Sequence, residues 1–208
     1  MKHSYSAAYQ YTRIRQIEER DLENLRIWRN NKELSRYLRK IGEITPEMQR
    51  NWYREYLKDD NIISFAIEET ETLKRAVGSV AIYDFNGPES NCGKTMIGDP
   101  EAGGRGLGLR GETLALHVGF QKRGIQYYVT EVHQENAISQ VMTARLGFLK
   151  VGFRPAPGGG LEDQFRMTKE RFYEVHPEML GVEVLVLVPV DIPVIPGRHY
   201  SRLLHQKC

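Results

Sequence analysis

A run of glycines between a predicted strand and a predicted helix is the part of this chain best suited to chemistry. Five glycines lie close together in it, namely Gly103, Gly104, Gly106, Gly108 and Gly111. Glycine lets backbone amides approach a ligand closely and adopt a positive φ. A helix that begins directly behind the glycines adds unpaired N–H groups and the positive end of its dipole. This combination predicts a phosphate or pyrophosphate site, and a glycine loop without a ligand is the structural alternative.

The composition excludes several other classes of protein. The chain has 208 residues, 40% of them hydrophobic, which suits one domain with a real core and an appendage. A formal net charge of +2 gives no argument for a nucleic acid or an anionic membrane as partner. Two cysteines, Cys92 and Cys208, do not suggest a disulfide framework, and no Cys/His cluster has zinc spacing. The first residues lack the apolar core of a signal peptide, and the longest apolar run, residues 184–190, is too short to cross a bilayer. We therefore expect a cytoplasmic protein that binds no metal.

Hydrophobic periodicity predicts mixed α and β elements in one domain over residues 11–170. The predicted strands cover residues 11–17, 62–68, 75–84, 92–98, 127–133, 148–153 and 163–168. The first predicted helix follows an Asp21 cap, and the others cover residues 32–39, 46–58, 109–123 and 136–146. Thr45 caps the helix over residues 46–58, on which Trp52, Tyr56 and Leu57 are expected to be buried. Residues 1–10 are interpreted as a loose tail and residues 171–208 as an extension of unclear role. For residues 182–194, which contain Pro189 and Pro193, three placements stay open: an extension of the sheet, packing on the partner subunit of a homodimer, or poor order.

One interpretation of the glycine run is a dinucleotide-binding fold. The segment Gly106-Leu-Gly-Leu-Arg-Gly111 has the form G-x-G-x-x-G, and Glu131 follows at the distance of the acidic residue of that fingerprint. However, the polar segment 98–105 separates Ile97 from the first glycine of the motif, and too few β-α units follow. A dinucleotide fold is therefore disfavoured.

A second interpretation covers more of the chain. A strand, the glycine loop, a helix, a strand and a helix that Asn136 opens resemble the GNAT family of acyl-CoA-dependent N-acyltransferases. Its pyrophosphate loop follows [R/Q]-x-x-G-x-[G/A], which Gly106 and Gly108 match, whereas Gly103 replaces the usual Arg or Gln. The segment 131–148, which ends in Leu-Gly-Phe, looks like the branch that contains ribosomal-protein N-terminal and amino-sugar or small-amine acetyltransferases.

This resemblance implies an α+β GNAT fold, with a central, mixed and mostly antiparallel sheet whose fourth and fifth strands splay apart between flanking helices. It also implies direct transfer of an acetyl group from acetyl-CoA to a deprotonated amine, so that Cys92 need not be a nucleophile. The implied cofactor-binding residues are Met96, Ile97, Gly103, Gly104, Arg105, Gly106, Leu107, Gly108, Asn136 and Ser139. Asn136 as a plain helix cap and Ser139 as a surface residue are the structural alternatives.

His133 and Glu131 are the predicted catalytic residues. Alternation places both on one face of the predicted strand, at the end that would face the splay. His133 is the simplest general base because imidazole titrates near neutral pH, and the alternative is that it only bonds a loop carbonyl. Glu131 could orient His133 or act as the base itself. Tyr83 and Asp84 are weaker candidates on a neighbouring strand.

The group that protonates the departing thiolate is less clear from the sequence. Many GNAT members have a tyrosine seven residues after the position of Asn136, and this chain has Thr143 there, whose hydroxyl is a poor acid. Tyr127, Tyr128 or water are the replacements considered, and the absence of a dedicated acid is the other option.

The predicted acceptor-binding residues are Trp28, Arg29 and Tyr83. The segment Trp28-Arg-Asn30 resembles one found in GNAT enzymes that acetylate amines on nucleotide-linked sugars. Arg29 would pair with a phosphate and Trp28 would stack on a base or sugar, whereas the alternatives are a surface arginine and a core tryptophan. A small-molecule or nucleotide-linked amine is thus the predicted acceptor. A protein N-terminus, which needs an acidic peptide groove, and a non-catalytic acyl-CoA-binding module are the other hypotheses.

Overall fold

The computed structural model describes residues 3–37 and 42–187, which contain one nine-stranded sheet in the order β7-β8-β6-β5-β4-β3-β2-β1-β9. Its strands are β1 (Tyr5–Tyr9), β2 (Thr12–Gln16), β3 (Ile62–Glu69), β4 (Arg75–Asn86), β5 (Glu89–Ile97), β6 (Tyr127–His133), β7 (Leu149–Pro155), β8 (Leu161–Thr168) and β9 (Val184–Val186). The helices are α1 (Leu22–Asn30), α2 (Pro46–Tyr56), α3 (Leu107–Lys122), α4 (Ala137–Leu146) and α5 (Lys169–Val175). Three short 3₁₀ helices cover Glu19–Asp21, Pro100–Ala102 and Pro177–Gly181. The mixed α+β architecture is that expected from the sequence.

The two faces of the sheet bury separate cores. Because successive residues of a strand point to opposite faces, Phe65 of β3 packs towards α3 while Ala66 packs towards α1 and α2. The α3 side is the larger core, and α3 is buried almost all round, as a helix in the middle of a domain should be. On the other side, Trp28 of α1 and Tyr53 of α2 meet Ala66. The candidate site lies where these two layers approach β5.

Most predicted elements are present, but the interpretation of three features was wrong. Residues 32–37 form turns rather than a helix, because the Asn31 side chain accepts hydrogen bonds from the N–H groups of Glu33 and Leu34; residues 38–39 lie outside the described part of the chain. Trp52, expected to be buried, is 41% exposed. Asp21 precedes α1, but its carboxylate binds Arg15 at 2.6 and 2.9 Å and makes no hydrogen bond to the helix amides.

Tyr5–Tyr9 form a strand of the sheet, so of the predicted 1–10 segment the described residues, from His3 onward, do not form the expected loose tail. β1 pairs with β2, and the buried His3 ring lies 3.0 Å from the Ser64 carbonyl through Nε2. β9 pairs with the other edge of β1, so sheet extension, one of the three open placements, describes Val184–Val186. The remainder of the predicted 182–194 segment after Leu187 lies outside the described residues.

Candidate active site

Strands β5 and β6 run side by side only at their beginnings. They are parallel, and their register lasts from Glu89 opposite Tyr127 to Asn91 opposite Val129. Beyond this point each strand keeps only its other neighbour, β4 for β5 and β8 for β6. Because the sequence did not predict β1, the predicted fourth and fifth strands correspond to β5 and β6. The splay predicted between them is therefore confirmed. Two diverging strands present backbone N–H and C=O groups to the gap between them, and such groups need partners.

The glycine loop leaves the C-terminal end of β5 and enters α3. The Asp99 carboxylate fixes its start, because it accepts from the Glu101 N–H at 3.0 Å and from Arg75 at 2.7 Å. Gly104 and Gly106 both have φ of +71°, a conformation that residues with a side chain seldom adopt. Gly106 is the N-cap of α3. Because glycine has no side chain, the N-cap residue offers no side-chain acceptor to the first amides of the helix. This backbone cradle at a helix N-terminus fits a pyrophosphate.

The other predicted loop residues contribute mainly backbone. Leu107 is buried in the core. The Arg105 guanidinium donates to Glu69 at the end of β3 at 3.2 Å and to Thr72 in the β3–β4 turn at 2.9 Å. Gly103 has an ordinary φ of −59°. A Cβ on Gly108 would make only van der Waals contact, 3.4 Å from Ile97 Cγ1. That these residues contact a cofactor stays a prediction.

A bulge in β5 is tied to α3 by a buried carboxyl group. The pairing of β5 with β4 shifts register, and Gly93 and Lys94 have φ of +148° and +53°. The Thr95 hydroxyl, next in the chain, donates to Glu112 Oε2 of α3 at 2.5 Å. Burial raises the pKa of Glu112 to about 7, although the bond from Thr95 opposes the rise. Sequence reasoning missed Glu112; the available signal was an acidic residue among the apolar residues of a fully buried helix.

At the end of β6, Asn136 caps α4. Its Oδ1 accepts from the Ser139 N–H at 3.3 Å, which is the structural alternative stated for Asn136. On β5, Met96 packs with Trp28 on the α1–α2 face, whereas Ile97 packs against the α3 core. A cofactor contact of any of these residues remains a prediction.

The structure corrects one of the proposed proton donors. Tyr128 is fully buried beneath α3, where its hydroxyl donates to the Leu116 carbonyl at 3.4 Å. A Cβ on Gly119 would lie 1.6 Å from that hydroxyl, so the packing is tight, and Tyr128 cannot serve a ligand in the splay. Tyr127 remains, at the paired end of β6. Cys92 is completely buried, and burial raises the pKa of its thiol well above the usual range, which opposes a role as nucleophile.

His133 ties three segments together. Its Nδ1 accepts from the Glu135 N–H at 3.2 Å, so Nε2 carries the proton and donates to the Gly159 carbonyl at 3.0 Å. The Tyr37 ring stacks on the imidazole at 5.8 Å, and its hydroxyl donates to the Glu135 carbonyl at 2.9 Å. This geometry matches the structural alternative, in which His133 bonds a loop carbonyl. To act as a base, the imidazole would first have to break one of its two hydrogen bonds and free a nitrogen.

Glu131 differs from His133 in its surroundings. Its carboxylate forms a pair with Arg154 at 3.5 Å and is 31% exposed, so it does not orient the His133 ring. Glu131 also lies near enough to Tyr83 that its charge helps to raise the pKa of the phenol, although burial is the larger cause. The Tyr83 hydroxyl would in turn lie 4.0 Å from a Cβ on Gly93. The Glu131 carboxylate thus contacts β7, on the side of β6 away from β5, and only its charge reaches Tyr83.

A cavity of about 500 Å³ opens between α1, α2 and the central strands. Its walls include Arg29 from α1, Trp52 from α2, and Lys94 and Met96 from the splayed part of β5. Small-molecule sites commonly have volumes of this order. Because β5 borders both the splay and this cavity, two ligands bound in these places could meet along the strand.

The three residues Trp28, Arg29 and Asn30 have different neighbours. A Cβ on Gly98 would lie 2.0 Å from Trp28 Cγ, so the buried indole rests directly on the backbone that precedes the glycine loop. Arg29 lines the cavity, and burial lowers the pKa of its guanidinium. Asn30 accepts from the Ile44 N–H at 2.8 Å and donates to the Ile44 carbonyl at 2.9 Å, which holds that residue in the cavity wall. The sequence did not predict this pair of hydrogen bonds between Asn30 and Ile44.

A family model described as the acetyltransferase (GNAT) domain matches residues 12–149. The chain belongs to the GNAT family. It is accordingly an acyltransferase, a GNAT N-acetyltransferase, and the family uses acetyl-CoA.

Individual relatives agree with this assignment. N-acetyltransferase 9-like protein of Caenorhabditis briggsae is 27% identical over 137 residues, which span 57% of this chain and 67% of the relative. The solved structure of apo FdhC, a nucleotide-linked sugar GNAT, has 21% identity and a TM-score of 0.68, covering 82% of this chain and 93% of its own. Spermidine N-acetyltransferase from Vibrio cholerae, in complex with CoA and spermine, has 18% identity and a TM-score of 0.69, covering 78% and 98%. The two structures share the fold of this chain.

Two features are absent from the described residues, a membrane-spanning helix and a cluster of metal-ligating side chains. In residues 3–37 and 42–187, no helix combines the length and the apolar character needed to span a membrane. Across the same residues, no group of three or more His, Cys, Asp or Glu side chains has the arrangement of a metal site.

Proposed function

We propose that this chain is a cytoplasmic, acetyl-CoA-dependent N-acetyltransferase for the primary amine of a small molecule, with nucleotide-linked amino sugars as the leading acceptors. The observation that carries the proposal is the position of β5, which borders the splay and the cavity and then enters the glycine loop. One strand can thus align an acyl donor on one side with an amine on the other. The name of FdhC, a nucleotide-linked sugar GNAT, supports the choice of acceptor.

The residues present fit acetyl-CoA. Gly104 and Gly106, with their positive φ, and the first amides of α3 would hold the pyrophosphate. The backbone of β5 beyond Asn91, which does not pair with β6, would bond the amides of the pantetheine arm. Asn136 and Ser139 lie at the start of α4, at the far side of the splay. The bound donor supplies an acetyl group activated as a thioester.

Direct transfer balances without an enzyme-bound intermediate. The amine nitrogen bonds to the acetyl carbon, the carbon–sulfur bond breaks, the amine loses a proton and the thiolate gains one. The buried Cys92 is not needed as a nucleophile. Glu131 is the stronger of the two predicted bases, because its carboxylate holds a single ion pair with the exposed Arg154, whereas both nitrogens of His133 are engaged.

The cavity favours a small acceptor over a protein N-terminus. A peptide groove would present acidic groups to the terminal amine, and no Asp or Glu is among the described residues that line this cavity. Arg29 stands in the wall, where it would pair with a phosphate. Tyr83, whose hydroxyl lies beside Gly93 of β5, would contact the acceptor. Trp28 would contribute indirectly, because its indole packs against the backbone of Gly98.

A thiol-release assay tests the proposal. Acetyl-CoA should release free CoA only with a primary amine present, and the acetylated amine should appear in equal amount by mass spectrometry. Acetyl-CoA should also raise the melting temperature, since a ligand that binds only the folded state stabilises it. Stabilisation by acetyl-CoA without turnover of any amine in a broad panel would instead indicate a non-catalytic binding module.

A further inference from the structure

We infer that the acceptor amine carries an anionic group, a phosphate or a carboxylate, which Arg29 of α1 and Lys94 of β5 bind together in the cavity. The inference rests on the proposed function and names the substrate class of its acceptor site. Lys94 was not among the residues that the sequence singled out.

The charge of the cavity wall is the first observation. Arg29 and Lys94 are its two charged residues among those that the structure describes, and the rest of this wall is apolar or neutral. Burial is the largest cause that lowers the pKa of Lys94, and Arg29 lies close enough to lower it further. Asp84 and Asp59 oppose that shift but do not line the cavity. Two cations that repel each other in a partly desolvated site favour an anion between them.

The backbone at Lys94 is the second observation. Its φ of +53° is uncommon for a residue with a side chain and arises at the bulge of β5. The ammonium lies 3.7 Å from the centre of the Tyr83 ring, a cation–π contact that orients it. Lys94 is thus held in place before a ligand arrives, which lowers the cost of binding.

The positive charge of the cavity wall also predicts that polycationic amines are poor acceptors. A polyamine would bring further positive charge to a wall that already holds Arg29 and Lys94, so it should be a poor substrate even though the fold is that of a spermidine N-acetyltransferase. The body of the acceptor would meet Trp52, whose exposed ring stacks on Tyr56 at 5.4 Å and forms a flat apolar wall.

The test compares primary amines that differ in charge. Values of kcat/KM would be measured for an aminohexose, its phosphate ester, its uronic acid and spermidine. The wild-type protein should prefer the two anionic amines over the neutral one by about tenfold or more, the scale of a hydrogen bond to a charged group. Lys94→Met and Arg29→Gln should each reduce that preference about tenfold, and added salt should weaken it.

Lys74 provides a matched control. It has φ of +51°, close to that of Lys94, but lies exposed in the β3–β4 turn, so Lys74→Met tests the same backbone conformation away from the cavity. It should leave the preference unchanged. Equal kcat/KM for neutral and anionic amines, a preference for spermidine, or an unchanged preference in Lys94→Met would overturn the inference while leaving the acetyltransferase function intact.

The two proposals can fail separately. If no amine is turned over, the proposed function fails, and calorimetric titration of the aminohexose phosphate decides the inference. Weaker binding to Lys94→Met than to the wild type and Lys74→Met would support it. Equal binding to all three proteins, or no binding, would overturn it.

Discussion

Replacing Glu112 with glutamine should change how the stability of the protein depends on pH. The Glu112 side chain is buried in α3, the residue being 4% exposed, and burial raises its pKa from an ordinary 4.5 to about 7. A carboxyl group whose pKa is higher in the folded state stabilises that state fully below pH 4.5, and this contribution is lost as the pH rises through 7. At about 1.4 kcal/mol for each tenfold change in proton affinity, the loss amounts to about 3 kcal/mol.

Glutamine has nearly the same shape and can still accept the hydrogen bond from Thr95, but it carries no charge. The free energy of unfolding of Glu112→Gln, measured relative to wild type, should therefore rise by up to about 3 kcal/mol between pH 4.5 and pH 8. Urea titrations at half-unit steps of pH would measure it, with equal m-values as the condition for comparison. Taking this difference cancels the contributions of the other titrating groups.

Glu55→Gln serves as the control, because Glu55 is an exposed helical glutamate paired with Lys58 on the surface. Its stability curve should run parallel to that of the wild type. If the curve of Glu112→Gln is also parallel to that of the wild type, Glu112 does not titrate between these limits, and the assignment of a buried, high-pKa carboxyl beside the bulge is refuted.

Three further predictions concern the site. Gly106→Val should abolish the thermal shift caused by acetyl-CoA, because valine is strained at φ of +71° and covers the amides, whereas Gly103→Ala, at φ of −59°, should retain the shift. Glu131→Gln should lower kcat about a hundredfold, the scale of a lost general base, and His133→Gln less than tenfold; the reverse order would make His133 the base. Asn30→Ala should raise the KM of the acceptor about tenfold and leave that of acetyl-CoA unchanged, because two hydrogen bonds to the cavity wall are lost; equal effects on both constants would contradict this.

Local signals accounted for most of the fold. Thr45 caps α2 by accepting from the Met48 N–H, and Gly147 ends α4 with φ of +91°, and both effects are encoded within a few residues. β1 was missed because the short segment around Ser6 and Ala7 has little pattern of its own, and its pairing with β2 and β9 supplies the strand structure. Trp52 has the spacing of a core residue, but whether anything covers it depends on elements distant in sequence.

The candidate site also has one part that the sequence predicts and another that it does not. The glycine loop was predictable, because Gly104 and Gly106 act through their own backbone. The acceptor cavity was not, since Arg29, Trp52 and Lys94 come from three elements that only the folded chain brings together. The state of Glu112 depends on how completely α3 is covered, which is a property of the whole domain.

The position of β1 between β2 and β9 links the two ends of the described chain. The Leu187 N–H donates to the Ser4 carbonyl at 2.7 Å, next to the three residue pairs of β1 and β9. Fraying at one end therefore uncovers the other, and amide hydrogen exchange at both should proceed as one opening event. Deletion of residues 1–10 would leave β9 without its neighbour and turn β2 into an exposed edge, open to pairing with strands of other molecules.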